Sequence, residues 1–311
     1  MKKTLFILPY FGRFPNYFQL YLNSIKYNKD YNWLIFTDDK TEYQYPKNVQ
    51  VIYTTFEELS NKIKSKFDFD IKLDFPKKLC DFKPLYGYVF SEYIKDFEYW
   101  GYCDCDLIFG DINKFIKLDD IKEYDKIGIC GHLTLMKNKK EINEFFKNDS
   151  NFEKIFSNKE NYIYDEGFNG SVNNILEKMN CKIYEFEGIA DIYVKESNFV
   201  LVNYNRELND YIPEKKSVNF FIWDKGKLYR FKKTNNNYIK EEYLYIHLQK
   251  RNMKVNNKNN EIYKIIPNSF DDIESCFFSN ELNKIKKKHI TFHKFMFYKA
   301  KVKNKFTHSW K

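Results

Sequence analysis

Strand-length apolar runs alternate with helical periodicity through the first third of the chain, and that rhythm leaves few folds open. Thr4 to Pro9 reads as a strand, and Asn16 to Tyr27 as a helix with Phe18, Tyr21, Leu22 and Ile25 on one face. Trp33 to Thr37 is a second strand ending at Asp38-Asp39, Val49 to Tyr53 a third, and a helix follows near Phe56 to Lys66. Such alternation predicts an α/β fold, a mostly parallel sheet flanked by helices. Further on, Lys83-Pro84 suits the first turn of a helix running to about Phe97, and Tyr99 to Asp104 reads as a buried strand. The pattern continues with a strand at Lys126 to Cys130, helices near Glu141 to Phe146 and over Asp165 to Met179, and a strand at Lys182 to Phe186. Phe220 to Phe231, folded about Asp224-Lys225-Gly226-Lys227, predicts a β-hairpin, and Tyr243 to Leu248 another strand. Residues 1–251 are therefore expected to form the main domain, and 252–311 a basic C-terminal helical appendage beginning with the polar spacer Asn252 to Asn260.

Tyr102-Cys103-Asp104-Cys105-Asp106 sets two carboxylates two positions apart at the end of an aromatic strand, just before Leu107-Ile108-Phe109-Gly110. Open α/β sheets present ligands at the carboxyl ends of their strands. An Asp-x-Asp triplet in a chain with 43 acidic residues is by default a solvated turn. Here apolar residues on both sides place the carboxylates at the edge of a core, where desolvation has to be offset. A bound Mg²⁺ or Mn²⁺ offsets it, since both take oxygen ligands and keep positions open for phosphate oxygens. Asp106, farther into the turn, is the expected direct ligand, and Asp104 is placed to reach a ribose as well.

Other candidates fall at element ends. Asp38 and Asp39 close a strand on the same side as Asp104, where they either contact a base or ribose or cap a turn. Lys83, at a helix start, either meets a phosphate or sugar hydroxyl or is a solvated lysine like most of the others. Asp165 and Glu166 open a predicted helix, where acids complement the dipole or serve as general base or nucleophile. His247 closes a strand beside Lys250 and Arg251, an arrangement suited to a third metal ligand followed by a diphosphate clamp.

The excess charge lies at one end: residues 281–311 carry ten lysines and one glutamate, which accounts for the whole net charge of +9. Ile285, Ile290, Phe292, Phe295, Met296, Phe297 and Tyr298 interleave with those lysines, which predicts contact with an anionic membrane surface. The neutral body carries no basic stripe and no recognition motif, so nucleic acid is not expected as a partner. No apolar run approaches the roughly 20 residues of a membrane span, and the Met1-Lys2-Lys3 start lacks a signal-peptide cleavage site. The expectation is a cytoplasmic protein, peripheral at the inner face of the plasma membrane. The six cysteines show no repeated zinc-type spacing and read as reduced, mostly buried thiols.

Three stretches carry a resemblance: Leu8-Pro9-Tyr10-Phe11-Gly12, then Trp100-Gly101-Tyr102-Cys103-Asp104-Cys105-Asp106 with Phe109-Gly110-Asp111, and His247-Leu248-Gln249-Lys250-Arg251. With Thr37-Asp38-Asp39 and Asp165-Glu166 they resemble bacterial GT-A-fold, nucleotide-sugar-dependent glycosyltransferases of surface (capsular and lipopolysaccharide) polysaccharide assembly. They are also similar to the retaining galactosyltransferase and glycogenin group. The resemblance implies a GT-A, Rossmann-like sheet with a Mn²⁺ or Mg²⁺ on Asp104, Asp106 and His247. It further implies a nucleotide-sugar donor, a UDP-sugar first, touched by Lys83 and Asp104, with Asp165 and Glu166 at the donor sugar; Pro9, Tyr10, Asp38, Asp39, Lys250 and Arg251 are the further candidate donor contacts. The acceptor would be a glycan or lipid-linked hydroxyl. Glu166 stands where that group has an amide, and His247 lacks the group's Gly-x-x-Lys-Pro-Trp continuation, so retention and inversion both stay open. A metal-dependent nucleotidyltransferase or phosphodiesterase and a non-catalytic biosynthetic scaffold are the alternatives.

Overall fold

The computed structural model describes residues 2–168, 170–233, 238–273, 293–295 and 298–299. Along the chain the strands are β1 (Lys2–Tyr10), β2 (Tyr31–Thr37), β3 (Val49–Tyr53), β4 (Phe97–Cys103), β5 (Leu107–Phe109), β6 (Lys126–Ile127), β7 (Leu133–Lys137), β8 (Ile183–Tyr184) and β9 (Ile189–Ile192). There follow β10 (Leu201–Asn205), β11 (Asp210–Pro213), β12 (Asn219–Asp224), β13 (Lys227–Lys233), β14 (Tyr238–Tyr243), β15 (Tyr245–His247), β16 (Lys254–Val255), β17 (Ile262–Ile266) and β18 (Ser269–Asp271). They form a mixed α/β molecule with three sheets, ordered β3-β2-β1-β4-β7-β6-β8, β11-β10-β9-β15-β5 and β14-β13-β12-β17-β18-β16.

The first sheet follows from side-chain alternation. On β1, Phe6 and Leu8 join one core and Leu5 and Ile7 another; on β2, Trp33 and Ile35 separate from Leu34 and Phe36 in the same way. A strand with both faces apolar must be covered on both sides. The helix Phe18–Ile25 covers one face through Phe18, Tyr21, Leu22 and Ile25. The other packs against Leu59 and Ile63 of the helix Phe56–Lys64 and against Phe82, Leu85 and Val89. That second helix is started by a capping box, Thr55 Oγ1 accepting from the Glu58 amide at 3.2 Å while the Glu58 carboxylate accepts from the Thr55 amide at 2.8 Å. Because β1, β2 and β4 run parallel, Tyr10, Thr37 and Cys103 all end on the same edge.

Several sequence expectations are corrected. Parallel pairing dominates only the first sheet, and there β7 runs antiparallel to both β4 and β6. The other two sheets are mainly antiparallel, because short turns such as the one at Lys225-Gly226 return the chain directly beside itself. The single helix expected over 83–97 is a series of short turns between Pro76 and Ile94. The helix expected from Asp165 starts at Val172, since Gly167 and Gly170 adopt left-handed φ of 77° and 70° and break it. The helix near Glu141 to Phe146 shortens to Lys140–Asn143 with a following 3-10 turn, and the strand at Lys182 to Phe186 to two residues. Among the described residues five cysteines are free, and no helix is long and apolar enough to cross a membrane. The stretch after 251, expected as a helical appendage, instead continues as β16, β17 and β18, with β17 pairing antiparallel to β12 in the third sheet; the basic segment 281–311 lies outside the described residues apart from helical turns at 293–295 and 298–299.

Lys126 of β6 is fully buried, its ammonium donating to the Gly128 carbonyl oxygen. Burial lowers its pKa to about 7. Between about pH 7 and its ordinary value of 10.5 the unfolded chain then holds a proton that the folded one has released, so this residue makes stability rise with pH across that window. Lys126→Met is expected to flatten that rise and to stabilise the protein at pH 7, measured by urea unfolding at pH 7 and 9.5; an unchanged slope would contradict the assignment.

Candidate functional site

The site forms where β4 stops. Asp104 follows Cys103 and donates its amide to the His132 carbonyl oxygen at 3.1 Å, and after Cys105 and Asp106 β5 begins at Leu107. β15 pairs antiparallel with β5, setting His247 opposite Leu107, and the Leu248 amide donates to the Asp106 carbonyl oxygen at 3.0 Å. His247 Nε2 consequently lies 3.4 Å from Asp106 Oδ1 and 3.8 Å from Asp104 Oδ2. Gln249 and Lys250 then take left-handed φ values of 53° and 54°, which turn the Lys250 amide back onto Asp106 Oδ2 at 2.5 Å. Each such residue costs about 1–2 kcal/mol. The turn supplies a buried carboxylate with a donor that no side chain provides.

Electrostatics binds the group together. Burial works against the Asp106 charge, yet the facing His247 and the Lys250 amide outweigh it and hold its pKa at about 2. Burial likewise pushes His247 toward neutrality, but Asp106 and Asp191 hold its pKa well above the usual imidazole value. Asp191 Oδ1 meets His247 Nδ1 at 2.9 Å and accepts from Gln249 Nε2 at 2.6 Å, so the ring is oriented from behind. Asp104, Asp106 and His247 offer two oxygens and one nitrogen within 4.8 Å of one another, a set able to hold a divalent cation.

A second group lies beside the first. Lys83 Nζ donates to Asp104 Oδ1 and the Gly131 carbonyl oxygen, both at 2.8 Å, and lies 3.1 Å from Asp165 Oδ2. Burial opposes the Lys83 charge, but the two carboxylates raise its pKa well above the usual value. Burial raises Asp165 to about 7 despite Lys83, helped by the charges of Glu166 and Asp104. Glu166 Oε2 accepts from the Gly131 amide at 3.0 Å and the Tyr211 hydroxyl at 3.2 Å. A Cβ at Gly131 would sit 2.3 Å from Asp165 Oδ2, so any other residue there displaces the Asp165 carboxylate.

Two cavities meet at this point. One of about 260 Å³ is lined by Pro9, Tyr10, Phe11, Asp106 and Lys250; one of about 550 Å³ by Asp165, Glu166, Asp191, Tyr211 and His247. Lys83 and Asp104 line both. Of the residues singled out in the sequence, Pro9, Tyr10, Lys83, Asp104, Asp106, Asp165, Glu166, His247 and Lys250 are thus brought together. Asp38 and Asp39 are not: Asp38 Oδ1 accepts from the Gly12 amide at 2.7 Å, and Asp39 accepts from the Phe14 and Thr41 amides and the Thr41 hydroxyl, so both secure turns. Arg251 is also turned away, its buried guanidinium donating to the carbonyl oxygens of Ser197, Pro267 and Glu196. Sequence reasoning missed His132, Asp191, Tyr211 and Gln249. Gln249 lies within the His247 to Arg251 stretch already quoted, whereas Asp191 sits alone in a short apolar strand that gives no local signal.

The family model described as "Family of unknown function (DUF6625)" matches residues 6–274. No curated protein matches the chain. Among solved structures, the galactosyltransferase LgtC in complex with donor and acceptor sugar analogues aligns at 12% identity over 61% of this chain and 75% of that chain, with a TM-score of 0.34.

Removing Lys83 leaves Asp165 buried without its cation, a change that costs about 3–5 kcal/mol in comparable buried pairs. Lys83→Met is expected to destabilise the protein by that amount at pH 8 and by clearly less at pH 5, where the unpaired Asp165 takes up a proton. Chemical unfolding at the two pH values measures it, and equal losses would refute the coupling.

Proposed function

The chain belongs to the DUF6625 family, and since that membership carries no activity, we propose from its site that it is a metal-dependent glycosyltransferase of GT-A type. It moves a sugar from a nucleoside-diphosphate sugar, UDP-linked first, to a hydroxyl of a surface-polysaccharide or lipid-linked glycan. The observation that carries this reading is the meeting of Asp104, Asp106 and His247 at the carboxyl edge of the first sheet, on the boundary between two cavities. The smaller cavity, with Pro9 and Tyr10, takes the nucleoside, and the larger one the sugar and acceptor. The two carboxylates and the imidazole suit Mn²⁺ or Mg²⁺, which when bound neutralises charge on the diphosphate as the anomeric bond breaks. Lys83, fixed between Asp104 and Asp165, and Lys250, lining the smaller cavity, orient the diphosphate and add positive charge where the leaving group develops its negative charge. Asp165, with a pKa of about 7, is matched to accept the acceptor's proton near neutral pH if the sugar is inverted. Glu166, held by Gly131 and Tyr211, faces the donor sugar.

A thermal-shift screen of nucleotide sugars with Mn²⁺ tests the reading: one donor should raise Tm by several degrees only when the cation is present. Asp104→Asn should abolish the cation-dependent shift and lower transfer at least 100-fold while leaving the unfolding transition cooperative. A chain that binds no nucleotide sugar under these conditions is not a glycosyltransferase. The segment 281–311 is proposed to hold the protein at an anionic membrane. Its deletion should release the protein from phosphatidylserine-containing vesicles and spare hydrolysis of a soluble donor; unchanged vesicle binding refutes the attachment.

A further inference from the structure

The group formed by Asp104, Asp106 and His247 uses one side of the His247 ring. On its other side lie Asp191, with Oδ1 2.9 Å from Nδ1, and the His132 ring, with centroids 4.7 Å apart. His132, Asp191 and His247 also place ligand atoms within 4.8 Å of one another, and all three are buried. The Tyr245 hydroxyl engages His132 Nδ1 at 2.8 Å, whereas Nε2 has no hydrogen-bond partner although the residue is only 4% exposed. A buried polar atom left unmatched costs about 1–3 kcal/mol, and a cation on Nε2 removes that cost. With Nδ1 engaged by the Tyr245 hydroxyl, Nε2 is the nitrogen left for a cation, and a partner on the other ring nitrogen is the usual outer-shell pattern of a ligating histidine. Two donors in a four- or six-coordinate shell of radius about 2.0–2.1 Å stand about 3 Å apart, as Asp191 Oδ1 and His247 Nδ1 do.

We propose that His132, Asp191 and His247 form a second cation site, selective for a borderline transition metal such as Zn²⁺ or Co²⁺, and that it excludes a cation from the Asp104, Asp106 and His247 group. Two nitrogens and one oxygen suit those ions better than Mg²⁺, whereas two oxygens and one nitrogen suit Mn²⁺ and Mg²⁺. Exclusion follows because His247 serves both groups: two dications on one ring would require the imidazole to lose both nitrogen protons. A cation in the second site therefore withdraws His247 from the first. Binding at the second site is independent of the glycosyltransferase reading, which enters only in the consequence that Zn²⁺ inhibits turnover by competing with Mn²⁺.

Titration with Co²⁺, followed by visible d–d absorption, and with Mn²⁺, followed by EPR, separates the two sites. Wild type and Asp104→Asn should both develop the Co²⁺ bands, while His132→Phe should bind Co²⁺ at least tenfold more weakly. Mn²⁺ binding should show the reverse, lost in Asp104→Asn and kept in His132→Phe. In the wild type, Zn²⁺ should displace Mn²⁺. If His132→Phe fails to fold, His132→Gln, which keeps a polar group of similar reach, is measured with the same expectation. Co²⁺ affinity within twofold of wild type in a folded His132 variant overturns the site. Simultaneous binding of Mn²⁺ and Co²⁺ overturns the exclusion.

Discussion

The Asp106 carboxylate, 2% exposed, is the charge around which this molecule is arranged. A carboxylate so enclosed has to be compensated locally, and compensation comes from distant chain segments: the His247 ring and the Lys250 amide. To deliver them, β15 pairs with β5 and two consecutive non-glycine residues accept left-handed backbone. The pairing binds the second sheet to the end of the first, and the same backbone turn places Lys250 at the smaller cavity while sending Arg251 into a nest of carbonyl oxygens. One buried charge thus decides which cationic side chain faces the site and which becomes internal scaffolding.

Lys83 plays the corresponding part on the other side. A single ammonium between Asp104 and Asp165 lets two carboxylates approach without mutual repulsion dominating, and the bare Gly131 gives Asp165 the room to do so. Asp104 stays partly exposed on the boundary of both cavities, whereas Asp106 is enclosed. The two acids of the triplet differ in environment for a reason the spacing already contains: one closes a strand and the other sits inside the turn.

Much of this was legible in the chain because it is local. The strands β1 to β4 follow from alternating apolar residues, and the Asp104 to Asp106 triplet announces itself through the aromatic run before it. The helix start assigned to Asp165 was wrong because Gly167 and Gly170 act later than the acids that mimic a cap. Asp38 and Asp39 left two readings open because a strand end and a turn cap demand the same residue type, and the Gly12, Phe14 and Thr41 amides show both acids bonded to turn backbone. Asp191 and His132 were invisible for a different reason. Their partners are His247 and Tyr245, brought near by pairing of β15 with β9 and β5, and no window of sequence contains both.

The dependence of Asp106 on His247 also bears on how the chain reaches its folded state. The Asp106–His247 contact unites residues far apart in sequence, so the loop between them must close before the interaction is gained, and contacts of that separation form slowly. Until β15 docks, the turn after β4 carries a carboxylate without its counter-charge and is the least settled part of an otherwise locally specified half. A divalent cation that binds only the docked state would hold this last step in place by mass action, so the yield of refolding and the rate of undocking would depend on the cation present.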